Sequence, residues 1–338
     1  MRTGILSIFL LVGLTLPIFS LAEPVPGAVE HAELLAEDLY PSASKCATCH
    51  AAQYEEWRGS SHAYASISPM FHKFEQAIND LSQGTVGYFC MRCHASVGTT
   101  LGEPRELPVW RRSQVSREGV TCISCHRVAE EYGKSNGARR IEPGSIFEPV
   151  YGNLGGDGVA RVAADPKAYN VRFEEGGLGL EMHRQGLHFE PIDRSEFCTS
   201  CHQVAVHPGI KLETVVEEYR ASPAHREGKS CQDCHMSTHP GQASGYASGP
   251  AAVVNGKVVV DGRRRSNHAF VGPGYPIAHP GIFPHNPAAE RFSVEQWLRF
   301  DERAGWVPTL SKPRWRAASS RPLSPNRGAR PTTAWKHG

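Results

Sequence analysis

Apolar positions are unevenly spread along this chain. Ile5 to Phe19 is an almost unbroken apolar run behind Arg2, and Ser20-Leu21-Ala22 offers small residues before Glu23. A positive start, a short apolar stretch and a small-residue site predict a secretory signal peptide over 1–22. The run is short for a spanning helix, which needs ~20 apolar residues. No other stretch comes near that length, and no cysteine lies near the cleavage site to carry a lipid. The mature chain of about 316 residues is therefore expected in the periplasm or outside the cell, with no membrane span after cleavage.

Helical periodicity is clearest after Ser68. Ser68 is a good N-cap, Pro69 suits the first helical position, and Gly84 can close the helix. Met70, Phe71, Phe74, Ala77, Ile78 and Leu81 then share one face, with His72 nearly opposite. Ala51 to Arg58 predicts a shorter helix with Tyr54 and Trp57 on one side, ended by Gly59-Ser60-Ser61. A further helix is expected near Lys211 to Arg220, with Leu212, Val215, Val216 and Tyr219 together. Ser293-Val-Glu-Gln296 resembles a capping box for a last helix reaching about Arg303, with Trp297 and Leu298 inward. Residues 137–190, with Tyr151-Gly-Asn-Leu-Gly-Gly-Asp-Gly, read as a connection, and 241–286 as loop. The fold class is mainly α with extensive irregular loops and little or no sheet.

Composition sharpens the picture. With 33 Gly, 25 Pro and only 40% hydrophobic residues, such a chain needs something besides side chains to fill its core. A net charge of +2 with both signs interspersed gives no sign of nucleic-acid binding. Residues 304–338 hold seven Lys or Arg and no Asp or Glu, as expected of a solvated disordered tail.

All ten cysteines fall in five copies of one pentapeptide. These are Cys46-Ala-Thr-Cys49-His50, Cys90-Met-Arg-Cys93-His94, Cys122-Ile-Ser-Cys125-His126, Cys198-Thr-Ser-Cys201-His202 and Cys231-Gln-Asp-Cys234-His235. C-x-x-C-H is the pattern of c-type haem attachment. The two thiols add to neighbouring vinyl groups of one porphyrin, and the histidine ligates the iron from below. Zinc ribbons take two C-x-x-C pairs per metal and need no histidine after each. A thioredoxin-like redox pattern is absent, and a disulfide framework does not repeat C-x-x-C-H. Five covalent haems c are expected, filling the core. The organisation then reads as a three-haem module over 23–136, a Gly-rich connection over 137–190, and a two-haem module with distal-ligand loops over 191–286. Residues 287–338 hold the terminal helix and the tail.

A filled sixth position makes an electron carrier, whereas an open one binds small molecules. Of 17 histidines, five are proximal, which leaves enough for most distal positions. His62, after the Gly59-Ser60-Ser61 break, is the leading distal candidate and can serve another haem. His268, in a Gly-rich loop, and His207, after the fourth motif, follow. One of His183 and His188 is expected to ligate, with His183 preferred. His72 faces solvent if the haem lies on the apolar stripe. His225, His239, His279 and His285 are weaker candidates, His31 and His337 weaker still, and Met182 and Met236 are possible substitutes.

Cys46-x-x-Cys-His with Trp57-Arg-Gly-Ser-Ser-His62-Ala, Phe89-Cys-Met-Arg-Cys-His94 and Glu118-Gly-Val-Thr-Cys-Ile-Ser-Cys-His126 resembles the cytochrome c-554 family. That is the family of a tetrahaem carrier serving hydroxylamine oxidation. Glu196-Phe-Cys-Thr-Ser-Cys-His-Gln and Gly228-Lys-Ser-Cys-Gln-Asp-Cys-His-Met are similar to its longer multihaem relatives. The likeness spans about 42–275. It implies a helical, haem-packed fold, stacked and perpendicular haem pairs, mainly bis-His iron, and a distal role for His62. The fifth motif departs from the tetrahaem pattern. The expected function is electron transfer between redox partner proteins. A reductase or oxidase of a small nitrogen or sulfur compound at one open haem, and a subunit of a haem filament, are the alternatives.

Overall fold

The computed structural model describes residues 38–289 except 131–135, 138, 207–209, 240, 273 and 278–282. The expected signal peptide, the terminal helix after Ser293, the basic tail, His31, His207, His279 and His337 lie outside the described residues.

Every C-x-x-C-H motif folds as one helical turn. His50 N–H bonds the Cys46 carbonyl at 2.9 Å, His94 bonds Cys90 at 3.3 Å and His126 bonds Cys122 at 2.9 Å. The fourth motif ends the helix Ser195–His202, and the fifth is the helix Cys231–His235. One turn sets the two cysteines on the same side of the backbone, with the histidine just beyond. The fifth turn is closed by a capping box between Ser230 and Asp233.

The remaining helices are also short. The longest among the described residues, Pro69–Leu81, starts at the expected cap, where Ser68 Oγ accepts from Phe71 N. It ends at Leu81, and Gly84 N returns to the Asn79 carbonyl at 2.9 Å. Its orientation differs from the reading that faced the apolar stripe inward. Met70, Phe74 and Leu81 are 66%, 62% and 86% exposed, whereas His72 is buried with Nε2 on the Ser66 carbonyl at 2.7 Å. Ser66 lies below the helix start, so its carbonyl draws His72 inward. Phe71 of the stripe turns to a motif, stacking on His94 at 4.0 Å.

Strands are more numerous than the sequence pattern indicates: the described residues hold five two-stranded ladders. Part of the helix expected at 211–220 is strand. Ile210–Glu213 pairs with Val204–Val206, and the helix begins only at Val215. Asn136 fixes that hairpin, bonding both the N–H and the carbonyl of Ala205, at 2.8 and 2.9 Å. The 137–190 stretch, read as a connection, carries the helices Asp157–Ala164 and Pro166–Tyr169 and several strands. Val159, Val162, Val171 and Met182 pack there with Val254 and Val259 from the hairpin Ala252–Val259 in the supposed loop after the fifth motif. Met182 thereby belongs to an apolar cluster.

Two other clusters sit beside the motifs. Ala43, Trp57, Ala63, Tyr64, Ile67 and Val109 form one, with Cys122 and Phe270 against it. Val97, Val115, Ile123, Ile141 and Phe197 belong to the other, which joins the third and fourth motifs. Buried Glu118 links the first motif to the third: its carboxylate accepts from Ala43 N at 2.9 Å, Thr121 Oγ1 at 2.8 Å and Ser42 Oγ. Burial pushes its pKa up, and those donors oppose the rise. Gly119 follows at φ +66°, and a Cβ there would lie 2.5 Å from the His62 carbonyl. Only glycine lets this segment close on His62, where Val120 N bonds the same carbonyl at 2.9 Å.

Candidate haem-attachment and iron-ligand sites

None of the ten cysteines is in a disulfide, and sulfurs of different motifs are neighbours. Cys46 lies within hydrogen-bonding reach of Cys122, Cys93 of Cys201, and Cys198 of Cys231. Groups attached through these sulfurs would be near neighbours. The first motif adjoins the third, and the fourth adjoins both the second and the fifth.

The histidines are brought together in twos. His50 and His183 have ring centres 6.5 Å apart, His126 and His268 6.2 Å, and His62 and His202 6.1 Å. A metal bonded to one nitrogen of each ring, at about 2.0 Å, sets the ring centres ~6.3 Å apart. In each pair one ring closes a C-x-x-C-H motif. The donors therefore fit an iron with an imidazole on either side. Among the described residues no three His, Cys, Asp or Glu gather as a site for a bare metal ion.

Backbone contacts orient these rings. His126 Nδ1 meets the Tyr151 carbonyl at 2.7 Å, His183 that of Gln185 at 3.1 Å, and His268 that of Ser266 at 2.9 Å. A proton on Nδ1 donates to the carbonyl and leaves the Nε2 lone pair for a metal. Burial, followed by neighbouring imidazoles, pushes His50 down to about 4 and both His62 and His268 down to about 3. Burial also lowers His126 and His183. All five are neutral at pH 7, the form that ligates.

Local structure supplies each distal ring. His62 lies on the helix Ser61–Tyr64, with the Phe270 ring 4.4 Å away. His183 is held by its neighbours, since Met182 N bonds the Arg172 carbonyl at 3.1 Å and Arg184 N that of Phe147 at 2.9 Å. Glu56 holds the His268 loop: one oxygen accepts from His268 N at 2.9 Å and the other from Arg265 at 2.6 Å. Glu56 sits on the helix Ala51–Trp57 that follows the first motif, and no local pattern marks it as an anchor.

His94 and His235 differ. Their Nδ1 atoms meet the carbonyls of Ala65 at 3.1 Å and Val271 at 2.9 Å, as for the other rings. Among the described residues neither has a second imidazole across from it. His72 is engaged with Ser66 and His225 with Tyr219, while His285 lies between Trp57 and Tyr64. His239 has Nδ1 on Thr238 Oγ1 at 3.2 Å. Exposed His188 has Nδ1 on the Asn153 carbonyl at 2.9 Å and is not one of the paired rings.

With this geometry in place, residues 45–127 match the family described as cytochrome c554 and c-prime. The match covers less than half of the chain, and over that stretch the chain is similar to this family. The matched segment holds the first three motifs, Glu56 and His62; the fourth and fifth motifs lie beyond it. No curated protein matches the chain. A penta-heme cytochrome c552 from Thermochromatium tepidum is similar in structure, at 19% identity and a TM-score of 0.41. The overlap takes in 71% of this chain and 58% of that one, so the chain spans less than two thirds of that protein's length. No helix among the described residues is long and apolar enough to cross a membrane.

Proposed function

We propose that the chain is an exported pentahaem c-type cytochrome that passes electrons between redox partner proteins. The observation that carries this reading is the set of three imidazole pairs at 6.1–6.5 Å, each including a motif histidine. A c-type haem, when attached, supplies an iron that takes up and gives back one electron.

The chain's residues do the rest. The ten motif cysteines would anchor the groups, and His50, His94, His126, His202 and His235 would ligate their irons. His183, His268 and His62 would serve as second ligands at the first, third and fourth motifs. His207, expected as a further distal ligand, lies outside the described residues. Cysteines of different motifs in contact hold the attached groups close enough for direct exchange.

The mass of the exported protein tests the reading, together with a count of high-spin ferric iron. A mass above the polypeptide by five haems, with three or more low-spin irons, is expected. A colourless protein of bare polypeptide mass would overturn it.

One observation favours a second reading, an oxidoreductase working at an open haem. His94 has the Phe71 ring stacked on it at 4.0 Å and no partner imidazole among the described residues. Dye-linked turnover of nitrite, hydroxylamine or tetrathionate separates the two: no rate above that of free haem removes the enzyme.

A further inference from the structure

Arg139 stands where the third and fourth motifs meet. Its Nη1 donates to the Ser124 carbonyl at 3.0 Å and lies 3.7 Å from Cys125 Sγ, both in the third motif. Its Nε donates to Ser200 Oγ at 2.9 Å, inside the fourth motif, and Nη2 donates to the Phe197 carbonyl at 2.8 Å on the same helix. The guanidinium also covers the Phe197 ring at 4.8 Å. The preceding chain wedges the fork in place, with Gly137 N on the Ser200 carbonyl at 2.5 Å. A Cβ on Gly137 would come within 2.9 Å of Cys93 Sγ, so the second motif closes the other side.

A guanidinium stays charged at any working pH. That fixed charge sits 3.7 Å from Cys125 Sγ and on the backbone and side chains of both motifs. The fifth motif has the opposite sign within it. The Asp233 carboxylate accepts from Ser230 N and Tyr246 Oη, both at 2.8 Å. Adding an electron to a redox group is favoured beside a cation and disfavoured beside an anion.

We propose that Arg139 is a fixed cation that raises the reduction potentials of the groups held by the third and fourth motifs above that of the group held by the fifth. The inference rests on the electron-carrier reading. Arg139 forms and breaks no bond; it sets which motifs retain an electron that an outside reductant supplies. The neighbouring Cys198 and Cys231 put the high and low ends of this gradient side by side.

A dithionite-driven redox titration of the purified holoprotein, with haem counted by mass, tests it. Arg139→Gln is expected to lower two of the titrating components. Each would shift at least tenfold in its reduced-to-oxidised ratio, which is 59 mV for one electron. Arg139→Lys keeps the charge and is expected to hold the wild-type values. Full haem content with unmoved potentials in Arg139→Gln would overturn the proposal, as would a fall in Arg139→Lys as large as in Arg139→Gln. Should Arg139→Gln fail to assemble, Asp233→Asn decides the ordering: the lowest component is expected to rise, and no rise defeats the gradient. A wild-type chain without haem would defeat the carrier reading and the proposal together, whereas haem with unmoved potentials defeats the proposal alone.

Discussion

Residues 45–127 and residues 128–289 contribute to the histidine pairs in different ways. The first region contributes one ring to each of the three imidazole pairs: His50, His62 and His126. The second supplies the opposite ring every time, from His183, His202 and His268. Where the first region meets a motif histidine with its own residues, at His94, it offers Phe71 and the Ala65 carbonyl. The segment that matches the cytochrome family thus holds half of each paired site. Closure of the whole chain, more than the local fold, decides which motif histidines face a second imidazole.

His268→Ala should break that division most sharply. It removes the ring 6.2 Å from His126, so one additional high-spin ferric signal per chain is expected, with one carbon monoxide bound to the reduced form. An unchanged EPR spectrum would mean that the pair does not share an iron. Next in size is Glu103→Ala, within the first region. Arg112 is only 3% exposed, and Glu103 lies 3.4 Å from its Nη1 while accepting from Ser113 N and Oγ. Leaving that guanidinium buried and unpaired should cost about 3–5 kcal/mol in urea unfolding, with the spin states unaltered.

Gly119→Ala should cost about 1–3 kcal/mol, because its φ of +66° and the nearby His62 carbonyl both resist a side chain. Unlike the Glu103 change, it should also disturb the low-spin signal of the iron shared by His62 and His202, joining the two regions in one readout. Trp57→Phe is the mildest. It loses the indole bond to the Val120 carbonyl at 2.9 Å, worth about 0.5–1.5 kcal/mol, and should leave every spin state alone.

Some of this was legible in the chain and some was not, for physical reasons. C-x-x-C-H specifies a helical turn through local bonds, so the attachment turns could be read directly. Ser68 and Pro69 marked a helix start by the same local chemistry. Which imidazole faces which could not be read, since a pair such as His50 and His183 is set by contacts distant in sequence. Periodicity gave the apolar face of Pro69–Leu81 but not which way that face would point; the Ser66 carbonyl, drawing in His72, decided it. Residues 211–213 look helical in pattern, yet Asn136 holds their partner strand and the pairing prevailed. Arg139 and Glu56 act through carbonyls and side chains brought to them by folding, and no spacing announces such roles.

The nearness of Cys46 to Cys122 has a consequence for how a haem-loaded, exported form would be made. Both sulfurs are partly buried in the closed chain. In an oxidising compartment, a polypeptide folded with these thiols still uncapped would bring them together for a cross-link between the first motif and the third. On the pentahaem reading, vinyl addition at these two motifs comes before closure, and the finished packing carries the order of maturation.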